Sequence, residues 1–361
     1  MRIATPVLSV FHYIKQTHME QQKRTDISSL GEFGLIRHIT SGFPIRNAST
    51  LKGIGDDGAV LEYKEKKIIV STDLLLEGIH FDLSYVPLRH LGYKAAIVNF
   101  SDIYAMNGQP KQITVSLGVS KRFSVEDLDD LYDGIRLACE IYGVDLVGGD
   151  TSASMTGLTI SITCIGEATD PVYRDGAKEN DLICVSGDLG AAYMGLQLLE
   201  REKKLFEEDH NAQSEFSGKE YLLERQLKPE ARKDIIELLH QKNIIPTSMM
   251  DISDGLSSEL LHICTQSEKG CRIYEEKIPI DYQTAIQAEQ FNMSLITAAL
   301  NGGEDYELLF TVPLGKHDII ESIPGVRIIG HIADPSLGCA MITRDGLEIE
   351  LKAQGWNSLK K

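Results

Sequence analysis

The 361-residue sequence is short of cations, of paired cysteines and of long apolar runs, and each shortage removes a class of protein. Lys and Arg number 36 against 53 Asp and Glu, a formal net charge of −17. That excess repels phosphates at long range and argues against a general nucleic-acid or anionic-membrane binder, so an acidic chain that handles phosphate needs cations to do it. The cysteines, Cys139, Cys164, Cys184, Cys264, Cys271 and Cys339, fall in no C-x-x-C pair and mostly inside apolar runs. They read as buried free thiols in a reducing compartment, because a disulfide framework belongs to short secreted chains and a zinc site wants clustered Cys and His. No run approaches the roughly 20 apolar residues that span a bilayer, and no cleavage site of small residues follows the mildly apolar residues 1–18. Met19, followed by Glu20-Gln-Gln-Lys-Arg-Thr25, has the character of a start, which would make residues 1–18 an added extension, and residues 1–28 as a whole are expected to form a partly disordered N-terminal segment.

What is present suffices for buried cores: 42% of residues are hydrophobic and 25% charged. The length predicts about two domains of roughly 150 residues each. Helical spacing marks 31–39 and 91–106. A third helix is predicted from Ser124, whose hydroxyl forms a capping box with Asp127, to a left-handed stop at Gly143. Strands are predicted at 68–70, 113–119 and 158–165. The pattern restarts near residue 170 with a strand at 182–186, a helix after Gly190, and a charge-dense surface excursion over 201–219. Helices entering at Pro229 and near Ser253 follow, then strands at 308–312, 326–329 and 347–351. The resulting division is 29–169 and 170–361, without internal repeats.

Gly53-Ile-Gly55-Asp-Asp-Gly58 matches the G-x-G-x-x-G dinucleotide pattern, but a polar loop precedes it and a strand-like Ala59-Val-Leu-Glu-Tyr63 follows. The fingerprint needs strand before and helix after, so that amides can hold a pyrophosphate, and Asp56 and Asp57 would place two carboxylates against that anion. Paired acids in a Gly-rich loop suit a cation better, with a simple Gly-Asp turn as the alternative. The theme recurs beside small or hydroxyl residues in Ser71-Thr-Asp73, Asn99-Phe-Ser-Asp102, Gly148-Gly-Asp150-Thr and Asp251-Ile-Ser-Asp254-Gly. Carboxylates at strand ends are costly to desolvate unless neutralised. Mg²⁺ takes a few carboxylates plus substrate phosphates, which makes the set read as a phosphoryl-transfer site holding several ions. No P-loop, protein-kinase motif or EF-hand accompanies it. Glu304 and Asp305 lie in the Gly-permissive loop Asn301-Gly-Gly-Glu-Asp-Tyr-Glu307, suited to a polar or cationic ligand or to a solvated turn. His80 follows Asp73 closely and is either structural or functional, and Arg174 is a phosphate contact or a surface charge.

Together Gly31-Glu-Phe-Gly-Leu-Ile, Ile54-Gly-Asp-Asp57, Ser71-Thr-Asp73 with Glu77-Gly-Ile-His-Phe81, Val98-Asn-Phe-Ser-Asp102, Val147-Gly-Gly-Asp150, Met250-Asp-Ile-Ser-Asp-Gly-Leu256, Gly302-Gly-Glu-Asp-Tyr306 and Gly355-Trp356 resemble, in content and order, the thiamine-monophosphate kinase family. The resemblance implies the fold shared with aminoimidazole ribonucleotide synthetase, selenophosphate synthetase and a hydrogenase-maturation protein. That fold has an N-terminal α/β domain forming a β-barrel across a homodimer and a C-terminal α/β domain completing the active site. It further implies a cytoplasmic enzyme that phosphorylates thiamine phosphate to thiamine diphosphate with ATP, by direct in-line transfer. Carried over by motif, Asp57, Ser71, Thr72, Asp73, Asp102, Asp150, Asp251 and Asp254 correspond to Mg²⁺ ligands. Tyr132, Gly149, Asp150, Arg174 and Ser253 correspond to ATP contacts, and His80, Glu304 and Leu359 to substrate contacts. Leu359 stands where family members often carry an aromatic residue, so this chain offers apolar contact there without a π-face. No side chain is assigned as base, since the attacking phosphate oxygen is already largely ionised. Two alternatives are a selenophosphate synthetase, which would carry a reactive Cys in the Gly-rich N-terminal segment where 20–55 has none, and a non-catalytic dimer stapled by metal.

Overall fold

The computed structural model describes residues 25–26, 29–52, 60–209 and 216–354. The expectations for residues 1–18, Asp56, Asp57, Gly355-Trp356 and Leu359 lie outside the described residues. The chain divides into two compact units, one made of Met1–Ile103, Gln109–Glu167 and Leu198–Lys228, the other of Tyr104–Gly108, Ala168–Gln197 and Pro229–Lys361.

The elements of the first half are α1 (Gly31–Thr40), β1 (Thr50–Lys52), β2 (Val60–Leu61), β3 (Lys67–Leu76), α2 (Leu88–Ala105), β4 (Gln109–Val119), α3 (Val125–Tyr142), β5 (Asp145–Ala153) and β6 (Thr159–Ala168). The first unit holds a four-stranded sheet of order β3-β6-β4-β5, in which β4 runs parallel to β5 and antiparallel to β6. Period-two alternation gives the sheet two unlike faces. Ile113, Val115, Leu117, Ile160, Ile162 and Cys164 are buried on one face. The other is half open and rich in hydroxyls, with Thr114 opposite Thr163 and Ser116 opposite Ser161.

The helices are specified locally. Ser124 caps α3 with its side chain accepting from the Asp127 N–H, the Asp127 carboxylate accepts in return from the Ser124 N–H, and Gly143 ends the helix at φ +71°. Glycine also sets the approach of α2 and α3: a Cβ on Gly92 would meet the Leu131 carbonyl oxygen at 1.9 Å, and one on Gly134 would meet the Arg89 carbonyl oxygen at 1.9 Å.

The second half continues with β7 (Leu182–Ser186), α4 (Ala191–Glu208), α5 (Glu220–Leu227), α6 (Lys233–Gln241), β8 (Ser248–Asp251), α7 (Leu256–Gln266), β9 (Gly270–Tyr274), α8 (Tyr282–Gln290), α9 (Leu295–Asn301), β10 (Leu308–Val312), α10 (His317–Glu321), β11 (Val326–Ala333), β12 (Cys339–Ile342) and β13 (Glu348–Glu350). The second unit contains a seven-stranded sheet of order β13-β12-β9-β11-β7-β10-β8, in which β9 and β12 pair in parallel. Every residue of β7, β8 and β10 is buried, so these strands show no period-two alternation, and they take the polar Ser186, Ser248, Asp251 and Thr311 inside with their apolar residues.

Four expectations are corrected. The stretch 201–219 is not all excursion: α4 runs through Glu208, with Glu202 turned inward at 5% exposure. Pro229 does not open a helix, and α6 begins at Lys233. Ser71-Thr72-Asp73 lies within β3 rather than at a strand end. The cysteines are all free, as expected, but they are not all scattered: Cys264, Cys271 and Cys339 converge. Among the described residues no helix is long and apolar enough to cross a membrane.

Candidate active site

In the first unit, strand alternation turns Ser71 and Asp73 to one side of β3 and Thr72 to the other. The Ser71 hydroxyl donates to the Asp102 carboxylate, which stands near the end of α2. Asp73 is pushed up to about 6, first by burial and then by the negative charge of Asp102. Two carboxylates therefore share a partly desolvated space, an arrangement that a cation would relieve. Thr72 instead joins the open sheet face, 3.0 Å from the Thr163 hydroxyl and donating at 3.2 Å to the Ile162 carbonyl.

His80 follows a tight turn, its backbone N–H bonded to the Leu76 carbonyl at 2.9 Å. Its Nδ1 accepts the Leu76 N–H at 3.0 Å, so the neutral ring carries its proton on Nε2. Glu77 anchors the same turn by accepting the Leu158 N–H at 2.8 Å and pairing with Arg122.

Gly149 and Asp150 lie exposed on β5, opposite Val115 and Ser116. A Cβ on Gly149 would meet the Val115 carbonyl oxygen at 1.9 Å, so a bare backbone is required there. With β3 and β5 at opposite edges of the sheet, Asp150 stands roughly 14 Å across the strands from β3. The structure thus does not gather it with Ser71, Asp73 and Asp102. Tyr132 is 6% exposed on α3, and its ring meets Phe43 edge-on at 6.2 Å; burial pushes its phenol up.

In the second unit, Asp251 ends β8 at 4% exposure, and Ser253 and Asp254 lie exposed in the turn before α7. This turn is locked to the Asn301–Glu307 loop. The Glu304 N–H donates to the Ser253 carbonyl at 2.7 Å, the Tyr306 N–H to Ile252 at 2.9 Å, and the Ile252 N–H to Glu307 at 2.8 Å. The structure therefore brings Asp251, Ser253, Asp254 and Glu304 together. Glu304 takes φ +58°, outside the ordinary range of its residue type.

Sequence reasoning missed Glu259. It lies on α7 at 1% exposure, accepts the Asp254 N–H at 2.9 Å, and is pushed up to about 8 by burial, with the charges of Asp254 and Asp251 adding to the shift. It therefore holds a proton at neutral pH and buttresses the turn without adding charge. Desolvation also pushes Asp254 up, against the opposing pull of His262, although the residue keeps an exposed edge. Arg174 is exposed, with its carbonyl accepting the Ser267 hydroxyl at 3.0 Å and its neighbour Tyr173 bonded to Met249 of β8 at 3.1 Å. The structure records Glu307 as a structural acid, 1% exposed, joined to Arg232 and the Ser186 hydroxyl. An open cleft of about 560 Å³, lined in part by Ser257, Thr297 and Asn301, borders this region and is of small-molecule size.

Residues 55–168, which include the four-stranded sheet, match the AIR synthase related protein, N-terminal domain, and this defines the class of that part of the chain. Over 287 residues the sequence is 38% identical to the thiamine-monophosphate kinase of Aquifex aeolicus (strain VF5), covering 80% of this chain and 87% of that one. It is 32% identical over 340 residues to that of Bacillus subtilis (strain 168), covering 92% and 100%. A solved structure described as AaThiL complexed with AMPPCP and TMP superposes with a TM-score of 0.70 at 35% identity, covering 93% of this chain and 99% of that one. The chain belongs to the thiamine-monophosphate kinase family, and it is a kinase.

Proposed function

We propose that the protein transfers the γ-phosphoryl group of ATP to thiamine phosphate, giving thiamine diphosphate and ADP, in a Mg²⁺-dependent reaction. The observation that carries the metal dependence is the Asp73–Asp102 pair, two carboxylates in a partly buried space with Ser71 bonded to one of them. Such an all-oxygen donor set fits Mg²⁺, which keeps water and takes few protein ligands. Asp57, Ser71, Thr72, Asp73, Asp102, Asp150, Asp251 and Asp254 are the residues that would hold several ions. When bound, Mg²⁺ supplies charge neutralisation and orientation of phosphate oxygens.

The chain's own work is positioning. Residues 29–169 supply Tyr132, Gly149 and Asp150 to ATP, and residues 170–361 supply Arg174 and Ser253. Gly149 lets backbone stand where a side chain would intrude, and Arg174 offers a guanidinium to phosphate. His80, with its Nε2 proton set by the Leu76 bond, is placed to donate to substrate. Glu304 offers a carboxylate to the cationic thiazolium or the aminopyrimidine, and Leu359 offers apolar contact. A phosphate oxygen of thiamine phosphate attacks the γ-phosphorus in line, the bond to the β-phosphate oxygen breaks, and ADP leaves with the electron pair. That oxygen is largely ionised near neutral pH, so no side chain acts as base.

We also propose a homodimer in which the β3 sheets complete a barrel. Ile68, Val70 and Leu74 are 43%, 64% and 52% exposed along this edge strand, an apolar row that a monomer would leave wet. Light scattering should return twice the chain mass; a monomer would remove this part. Six free thiols support a reducing, cytoplasmic location. The deciding experiment incubates the purified chain with ATP, Mg²⁺ and thiamine phosphate. Thiamine diphosphate should accumulate and chelation should stop it; normal ATP binding without product would overturn the reading.

A further inference from the structure

Among the described residues, three cysteines far apart in sequence bring their sulfur atoms together: those of Cys264, Cys271 and Cys339 all lie within 4.8 Å of one another. Each comes from a different element of the second unit, Cys264 from α7, Cys271 from β9 and Cys339 from β12. Parallel pairing of β9 with β12 places Cys339 directly opposite Cys271, and α7 lays Cys264 against both.

We propose that these three thiols form a binding site for a thiophilic divalent d¹⁰ cation of the Zn²⁺ class, separate from the acidic residues assigned to Mg²⁺. Soft thiolates select such ions, whereas Mg²⁺ prefers oxygen. At a metal–sulfur distance of about 2.3 Å, three sulfurs around one ion stand roughly 3.7–4.0 Å apart, so the observed spacing closes with shifts below about 1 Å. Cys264 is 2% exposed and Cys271 0%, while Cys339 is half-buried. Cys339 thus gives the ion a way in and leaves the fourth position to water. Binding releases the thiol protons to solvent as the metal–sulfur bonds form.

Charge and hydrogen bonding fit a divalent ion. Three thiolates and one 2+ ion carry a net −1. The Arg272 guanidinium, 9% exposed and donating to the carbonyls of Cys271, Gly338 and Leu337 at 2.9–3.0 Å, is held on the strand next to Cys271 and shares its charge with Glu348 at 3.1 Å. The competing reading is three small apolar side chains that merely fill a core. The consequence would differ: a bound ion clamps the far end of α7, whose other end begins at the Asp251–Gly255 turn.

The test titrates the full, reduced chain with Cd²⁺ and follows the ultraviolet sulfur-to-metal charge-transfer band, to which oxygen-based Mg²⁺ sites contribute nothing. The band should saturate at one Cd²⁺ per chain and be displaced by Zn²⁺. Cys339→Ala and Cys339→Ser, at the one half-buried position of the three, should each weaken binding at least 100-fold while far-ultraviolet circular dichroism stays unchanged. Cys184→Ala, at a cysteine outside the cluster, should leave the titration as it was. Absence of the band, or a band that survives both Cys339 variants, overturns the proposal.

Discussion

The Glu304 N–H donates to the Ser253 carbonyl oxygen at 2.7 Å, fastening the loop that offers Glu304 to the turn that offers Asp254. Gly303 makes the approach possible: it sits at φ +72°, and a Cβ there would meet the Ser253 oxygen at 2.6 Å. Gly303→Ala should therefore combine left-handed strain with a backbone clash and destabilise by about 2 kcal/mol or more. Thermal unfolding measures that loss, and the apparent KM for thiamine phosphate should rise. Unchanged melting and kinetics would mean that the two loops separate at no cost.

Asp73→Asn should cut turnover at least ~100-fold while making the metal-free protein more stable near neutral pH. Its folded value of about 6 lies above the ordinary 3.8. Its contribution to stability is therefore complete below about pH 4 and lost as pH rises through about 6. The neutral amide escapes that loss, and after discounting for partial exposure the gain is about 1–2 kcal/mol at pH 7.5. Denaturant unfolding without added metal checks the sign. A variant that is both inactive and less stable would contradict the like-charge argument.

His90 supplies an opposite pH dependence. Burial holds it down to about 4, with Lys228 and Arg89 adding repulsion. Its contribution is present above pH 6.5 and lost as pH falls through about 4, because the unfolded chain takes up the proton first. His90→Gln should flatten the stability profile across that window by roughly 1–2 kcal/mol, read from chemical denaturation at several pH values. An unchanged slope would show that His90 does not titrate differently on folding.

Arg232 and Glu307 form an ion pair with side chains 15% and 1% exposed. Arg232→Met leaves a buried carboxylate without its counter-charge and should cost about 3 kcal/mol or more. Asp234→Ala removes the other partner of Arg232, a carboxylate 61% exposed, and should cost less than about 1 kcal/mol. Comparing the two melting curves tests whether Glu307 is the partner that matters.

Local chemistry was the readable part of the fold. The Ser124 capping box and the Gly143 stop bound α3 in the structure where the residues alone placed them, because both signals act within one helical turn. β5 was not readable as a strand. Gly148-Gly149 has poor strand propensity, and the reason for glycine is the Val115 backbone pressed against it, a contact made by tertiary packing. The helical continuation through Glu208 was hidden for a related reason: a polar, charged stretch can be helix when one side chain such as Glu202 turns inward. The acidic motifs named the residues that the structure gathers in each unit, Ser71 with Asp73 and Asp102, and Asp251 with Ser253, Asp254 and Glu304. Glu259 escaped notice because its role depends on burial, for which no local spacing is diagnostic. The cysteine cluster escaped because β9–β12 pairing, rather than sequence proximity, makes Cys271 and Cys339 neighbours.

Gly92 and Gly134 face the carbonyls of Leu131 and Arg89, respectively, across the α2–α3 crossing, each with no room for a methyl group. Helices that touch through their backbones have no side-chain layer to cushion a slide or a roll, so their relative setting works like a keyed joint. Asp102 rides near the end of α2, beyond that joint. The joint passes its stiffness along the helix, so the position of a carboxylate is decided several turns away, by two residues with no side chain at all.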